Sequence, residues 1–199
     1  YEYDPNTLGA IDSIGFNYKL EIDYEGNTYT SSSILNPVPV IDSMPYAFEP
    51  SGFGTEEGYY TQFYARDFGG RKDYYWIKPF RNGEPVYEDP TFIILSEDAT
   101  FGGDAGDGLV FIVPFRAIIT DQSNPFVLGD TSAVELHSLN ESAYQFLDQL
   151  VNSSGNDGLF AVPPSNIRSN IFDAAGNPQD EVLGLFSLSA ISKFEVIIQ

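Results

Sequence analysis

The sequence contains no cysteine. Disulfide bonds, zinc–thiolate sites, iron–sulfur clusters and cysteine nucleophiles are therefore excluded within these 199 residues. There is one histidine, His137, so a cluster of histidine ligands around a metal is excluded as well. A Ser-His-Asp triad would have to use His137, and the sequence has no Gly-x-Ser-x-Gly motif to supply a nucleophile. These absences remove most of the common catalytic centres.

Basic residues are scarce, with 9 Lys and Arg against 29 Asp and Glu and a formal net charge of −20. Such a surface repels phosphate groups, so we expect no nucleic acid partner and no docking to anionic lipid through a basic patch. No apolar run is long enough to span a bilayer. The chain starts at Tyr1 without a signal peptide, and we expect an upstream segment to be missing.

Phenylalanine and tyrosine are abundant, at 16 and 13 residues, whereas tryptophan occurs once. Because Phe and Tyr favour strands, this composition indicates a β-rich core. Residues 14–33 alternate apolar and polar side chains around a Glu25-Gly26-Asn27 turn, which predicts a β-hairpin. The two prolines in residues 36–40 cannot lie inside a central strand. We therefore predict a domain boundary there, between residues 1–36 and 37–199.

Further short apolar runs predict more strands. They are Tyr46–Phe48, Tyr59–Ala65, Tyr74–Phe80, Thr91–Leu95, Leu109–Ile119, Val182–Ser189 and Phe194–Ile198. One helix is predicted at about residues 141–152, because Ser138 and Glu141 match a capping box and Ala143 and Leu147 recur at helical spacing. The predicted fold is mostly β, an antiparallel β-sandwich or barrel-like domain with this one short helix packed on a sheet.

An Asp/Gly-rich loop supplies the only candidate metal site. Asp98, Asp104 and Asp107 surround several glycines, and oxygen-rich flexible loops can bind calcium. The spacing lacks the alternating ligands and terminal glutamate of a calcium-binding helix–loop–helix, so an ordinary hairpin loop is the alternative. Phosphate binding by the same glycines is not supported, because the following residues 109–113 read as a strand and not as a helix.

Tyr74, Tyr75 and Trp76 form the candidate ligand-binding site, as an aromatic platform for glycans or peptides. Alternation along a strand would turn about half of such side chains into the core, so packing is the alternative explanation. A hydrolase that uses two carboxylates is the least supported hypothesis, because no pair of acids stands out among 29.

A series of short phrases, taken in order, resembles one known family. They are Tyr18–Ile22, Gly26, Tyr29–Ser31, Val38–Ser43, Tyr74–Trp76, Asn82–Gly83, Ser96–Asp98, Gly102–Gly103, Glu141–Phe146, Pro163–Ile167, Asn170–Ile171 and Val182–Ser189. The set is similar to the Bacteroidota family described as domain of unknown function 4249, from about Phe16 onward. The final glycine–aromatic–serine phrase is the most specific, although Leu185 stands where an aromatic residue is expected.

The resemblance implies an outer-membrane lipoprotein on the cell surface or the periplasmic face, with its lipidated cysteine upstream of this chain. It implies that residues 1–36 are the tail of an immunoglobulin- or transthyretin-like module. It also implies a non-catalytic accessory role that involves binding to a TonB-dependent transporter or another outer-membrane complex. The alternative is a glycan- or peptide-binding module that captures nutrients. The resemblance brings no catalytic residues and no cofactor, with calcium the only ion to consider.

Overall fold

The computed structural model describes residues 11–87, 89, 92–100, 102, 106–154, 167, 169–178, 182 and 184–199. This part of the chain contains twelve strands and two helices; all strand pairs are antiparallel, and no sheet closes into a barrel. The prediction of a mostly β, antiparallel fold with one short packed helix is confirmed.

The strands are short, and the longest helix has 14 residues. The strands are β1 (Asn17–Tyr24), β2 (Asn27–Ile34), β3 (Ile41–Ser43), β4 (Tyr46–Glu49), β5 (Gly58–Thr61), β6 (Tyr64–Ala65), β7 (Tyr74–Arg81), β8 (Glu84–Pro85), β9 (Ile94–Glu97), β10 (Thr131–Leu139), β11 (Phe172–Asp173) and β12 (Ile191–Ile197). The helices are α1 (Val113–Ala117) and α2 (Glu141–Ser154). Neither described helix combines the length and the apolar character that crossing a membrane requires.

A five-stranded central sheet organises the domain. Its order is β12–β10–β7–β8, and β9 pairs with β7 on the same side as β8. Side chains alternate between the two faces of each strand. One face, called the inner face here, carries Tyr75, Ile77, Val134 and Leu136, all of which are buried. The outer face carries the side chains between them.

The main core lies between the inner face and a second layer built from β3, β6 and α1. Phe111 is at its centre, with its ring 5.4 Å from the ring of Phe63 and 5.3 Å from that of Tyr75. None of these three residues is exposed to solvent. Aromatic packing therefore helps to join the second layer to the sheet, together with the aliphatic side chains of the same core.

The strand predicted across Leu109–Ile119 is wrong, because α1 occupies part of that run. Pro114 lies in the first turn of α1, where its missing N–H costs nothing and its fixed φ favours the helix. Phe115 and Ile119 lie four residues apart and are both buried in the main core. The four-residue spacing of these two side chains thus fits a helix, and this part of the apolar run does not form a strand.

Helix α2 covers one end of the outer face. Ala143 and Leu147 on the helix pack against Tyr74 and Leu139 of the sheet, and the ring of Tyr144 lies 4.6 Å from that of Tyr74. This confirms the predicted helix, which extends to Ser154. It also places a second, smaller core on the side of the sheet opposite the main core.

The predicted capping box at the start of α2 is wrong by two residues. Asn140 caps the helix, because its Oδ1 accepts a hydrogen bond from the Ala143 N–H at 2.8 Å. Ser138 instead belongs to β10, where its hydroxyl donates to the Asn36 carbonyl at 2.7 Å and accepts from the Ala190 N–H at 3.0 Å. The serine therefore bonds the sheet to Asn36 and Ala190, and Asn140 caps the helix.

The predicted hairpin is confirmed as β1 and β2. Its two-residue turn has positive φ at Glu25 (48°) and Gly26 (81°), the conformation that keeps two twisted strands paired. Ser33 joins the hairpin to the rest of the chain, since its hydroxyl accepts from Asn140 Nδ2 at 2.8 Å and from Leu188 N at 3.0 Å. The domain boundary at residue 36 stays a prediction.

The strand predicted at residues 182–189 is wrong for the part of that segment that the structure describes. There the backbone bonds to side chains: the Phe186 N–H donates to Asn170 Oδ1 at 2.8 Å, and the Phe186 carbonyl accepts from Asn170 Nδ2 at 2.7 Å. Side-chain amides thus take the place of a neighbouring strand.

Candidate functional site

A proline splits one edge of the central sheet. Strand β9 pairs with Tyr74–Ile77 and β8 pairs with Phe80–Arg81, so neither strand lies opposite Pro79. The carbonyls of Asp73 and Pro79 both accept bonds from this side, which shows that odd-numbered residues of β7 direct their backbone groups toward β8 and β9. Pro79 has no N–H to offer there, so the proline fits where the ladder is interrupted.

A groove of about 370 Å³ opens at this interruption. Its lining is mostly aromatic and apolar, with one ammonium and one carboxylate. The lining residues are Trp76, Ile77, Lys78, Pro79, Phe80, Pro85, Tyr87, Asp89, Phe92 and Ile93. The ring of Tyr87 lies 4.0 Å from that of Phe92, and the Tyr87 hydroxyl donates to the Ile118 carbonyl at 2.6 Å. Burial raises the pKa of Tyr87 to about 12, so this wall stays neutral.

Lys78 and Trp76 form the floor of the groove. The Lys78 ammonium lies 3.6 Å from the centre of the Trp76 ring, within the range of a cation–π contact. Burial lowers the pKa of Lys78, an effect that the Glu135 carboxylate opposes. Within the described part of the chain, Lys78 forms no salt bridge. The groove thus presents a partly buried positive charge against aromatic walls.

A small charged cluster lies beside the groove on the outer face. Glu135 faces Lys78 across the β7–β10 ladder, and its carboxylate lies 3.0 Å from His137 Nε2 and 3.8 Å from the Lys193 ammonium. Burial lowers the pKa of His137, although its hydrogen bond to Glu135 acts in the opposite direction. His137 is therefore an acceptor or donor within a carboxylate network, with no described nucleophile beside it.

The predicted platform of Tyr74, Tyr75 and Trp76 is divided by the sheet. Tyr75 is 0% exposed on the inner face, where its hydroxyl donates to Asp67 Oδ1 at 2.5 Å. Tyr74 is 8% exposed because α2 covers it. Neither ring can offer a face to a ligand, so as a platform the prediction is wrong for both. Trp76 is partly exposed and lines the groove, and its role as a ligand contact stays a prediction.

The predicted calcium ligands are not brought together as a described site. Asp98 is 3% exposed, has φ of +51°, and accepts the Asp73 N–H at 2.7 Å. Both carboxylate oxygens of Asp107 accept the Gly70 N–H at 2.9 Å. Asp104 lies outside the described residues, and among the described residues no group of three metal-ligating side chains occurs. Asp98 and Asp107 each have a structural role in their loops.

Most residues that line the groove were not predicted from the sequence. Lys78 and Phe80 lie on β7, but Tyr87 and Phe92 come from a different stretch of chain and reach the groove only through the pairing of β8 and β9. One local signal was present, since a Lys-Pro pair inside a long aromatic strand indicates an interruption of the ladder.

Comparison with known protein families gives a match over most of the chain. The family model described as "Domain of unknown function (DUF4249)" matches residues 6–195. No curated protein and no solved structure is detectably similar to the chain.

Proposed function

The chain belongs to the family described as domain of unknown function 4249, and from this membership we propose a non-catalytic accessory domain that binds an outer-membrane protein such as a TonB-dependent transporter. In this proposal the source is a member of the Bacteroidota. A lipid anchor upstream of Tyr1 holds the domain at the outer membrane, on the cell surface or the periplasmic face.

The groove beside Pro79 supports a role in binding. It combines partly exposed aromatic residues with a single ammonium, and aromatic residues are enriched at the centres of protein interfaces. The Glu135 carboxylate lies next to it, across the β7–β10 ladder from Lys78, as polar residues do at the rim of such a contact. The net charge of −20 favours a partner with a basic surface.

Replacing Trp76 by alanine is expected to reduce partner binding at least about tenfold, because truncating a central aromatic anchor costs about 2 kcal/mol or more. The measurement is affinity capture by the tagged chain from detergent-solubilised outer membranes of its own host, quantified by mass spectrometry. Phe53→Ala is the matched control, since Phe53 is an aromatic residue exposed elsewhere on the domain. Recovery of no outer-membrane protein, or equal recovery with both variants, would contradict the proposal.

The same groove supports a second candidate function, the capture of a peptide or glycan that carries a carboxylate. The observation that favours it is the partly buried Lys78 ammonium without a salt bridge among the described residues. A ligand carboxylate could form a charge-assisted hydrogen bond with this ammonium while its remaining atoms contact the aromatic wall.

Lys78→Met is expected to weaken binding of such a ligand at least about tenfold, because it keeps the aliphatic stem and removes only the charge-assisted bond. Trp76 is the only tryptophan, so its fluorescence reports on the groove alone during titration with acidic oligosaccharides or with peptides. Lys19→Met, on the exposed hairpin, should bind like the wild type. If no ligand of either class changes the emission, this second function is wrong.

A further inference from the structure

The outer edge of β12 has unused backbone hydrogen-bonding groups. Ser138 N donates to Ala190 O and Ile198 N donates to Asp130 O, so the even-numbered residues of this stretch pair with β10. The odd-numbered residues direct their N–H and C=O groups away from the sheet. Those of Ile191, Lys193, Glu195 and Ile197 have no hydrogen-bond partner among the described residues. The outward backbone groups of this edge are therefore unpaired from Ile191 to Ile197.

The residues on either side mark where the open edge ends. The Gln199 N–H, the next odd-numbered group, donates to the Tyr46 hydroxyl at 3.0 Å. At the other end the Ile41 N–H donates to the Ser192 side chain at 3.0 Å and leaves the backbone edge free. Four successive odd-numbered positions thus remain for pairing with another strand.

The sequence of β12 is complementary to itself when it runs antiparallel to a second copy. A two-fold axis at Phe194 places Lys193 opposite Glu195 of the second copy, and Glu195 opposite its Lys193. The same axis places Ile191 opposite Ile197 of the second copy. Because odd positions then face odd positions, every outward N–H and C=O meets a matching group. Opposite charges and apolar pairs directly across a ladder both stabilise the pairing of strands.

The two isoleucines distinguish β12 from β1, an edge strand with a similar pair of charges. Ile191 and Ile197 are 55% and 54% exposed, at both ends of the open edge. Strand β1 carries a similar pair of charges, since the Lys19 ammonium lies 3.1 Å from Glu21. The positions two residues beyond those charges are the exposed polar residues Asn17 and Asp23. On the face that carries these charges, strand β1 therefore offers charge complementarity without apolar pairs, since its exposed apolar side chains Ile22 and Tyr24 lie on the opposite face.

We propose that a second copy of this chain pairs with β12 about a two-fold axis at Phe194, so that the two central sheets form one continuous antiparallel sheet. The occupant is a second copy because the charge pattern and the isoleucine positions match their own reverse. A contact of one strand pair is small, so the dimer is reversible and forms at micromolar or higher concentration. The proposal does not depend on the function of the groove, which lies at the opposite edge of the sheet.

Sedimentation equilibrium of the chain over about 5–500 µM tests the proposal, with the concentration range set by the weak class of interface. The expected result is an apparent mass that rises from 22.0 kDa toward twice that value as concentration increases. Lys193→Glu and Glu195→Lys should each weaken self-association at least about tenfold, because each places like charges opposite one another at two positions. Lys19→Glu makes the same charge change on β1 and should associate like the wild type.

Mixing the two single variants provides the decisive measurement. Lys193→Glu in one chain and Glu195→Lys in the other restore opposite charges at both positions, so the mixture should form a heterodimer that neither variant forms alone. Recovery of binding on mixing also shows that both variants are folded. A wild type that stays monomeric throughout the range overturns the proposal. So does a dimer insensitive to both β12 variants, or one disrupted by Lys19→Glu instead.

Discussion

Replacing Phe111 by alanine is expected to lower the free energy of unfolding by about 3–5 kcal/mol, the range for truncating a buried aromatic side chain. Phe111 is 0% exposed and contacts rings from both layers, namely Phe63 and Tyr75. Its removal leaves a cavity that neither layer can fill without moving. Urea unfolding followed by circular dichroism measures the change, and the urea dependence should keep the same slope.

Phe53→Ala serves as the control for this prediction. Phe53 is 109% exposed, so the same loss of a ring should change the free energy of unfolding by no more than about 0.5 kcal/mol. A loss below about 1 kcal/mol for Phe111→Ala would show that the two layers are not joined through this ring, because such a value is far below the range for a buried phenylalanine.

Asn140→Ala is expected to cost about 2–3 kcal/mol, because this side chain makes three hydrogen bonds, two of them to groups in buried residues. Its Oδ1 caps α2 at Ala143, and its Nδ2 donates to the Ser33 hydroxyl of the hairpin. The alanine variant leaves the Ala143 N–H and the Ser33 hydroxyl, both in buried residues, without these bonds. Thermal or urea unfolding measures the total loss.

Asn140→Asp tests the cap on its own. Aspartate keeps the capping oxygen and suits the N-terminus of a helix, while its second oxygen can only accept, so a bond to Ser33 persists only when the Ser33 hydroxyl turns to donate. The aspartate variant should therefore recover at least roughly half of the stability that alanine loses, since a cap and a buried hydrogen bond are each worth about 1 kcal/mol. Equal losses for alanine and aspartate would show that the cap contributes nothing and that the bond to the hairpin accounts for the whole effect.

The elements predicted correctly are those whose signals lie within one short segment of the sequence. The hairpin follows from alternation and from a turn that tolerates positive φ at Glu25 and Gly26. Strand β7 follows from its run of aromatic and apolar residues, and α2 follows from Ala143 and Leu147 at helical spacing. Each of these segments carries its own periodicity, so no knowledge of distant contacts was needed.

The errors came from contacts that join distant parts of the chain. Ser138 and Asn140 are both good capping residues, and the extension of β10 as far as Leu139 decides between them. The apolar run that contains α1 fits a strand equally well until Phe115 and Ile119 are known to share one core. Sequence alone places Tyr74, Tyr75 and Trp76 side by side, whereas the sheet and α2 give them three different environments.

The groove could not be predicted from the sequence for a related reason. Its walls come from β7 and from the segment that joins β8 to β9, and their meeting depends on which register each short strand adopts. A shift of one residue in either ladder would turn the walls to the other face of the sheet. The Lys-Pro pair in the sequence indicates the interruption at Pro79, but no sequence pattern indicates which side chains surround it.

Because of the interruption at Pro79, the shape of the groove depends on residues outside the paired parts of β7, β8 and β9. Strands β8 and β9 are both attached to β7, and the described residues Tyr87, Phe92 and Ile93, which lie between these two strands in the chain, line the groove. A change at an exposed wall residue such as Phe92, which is not part of the main core, reshapes the groove without altering the pairing of β7 with β8 and β9. The shape of the groove can therefore change while the strand pairing that supports it stays the same.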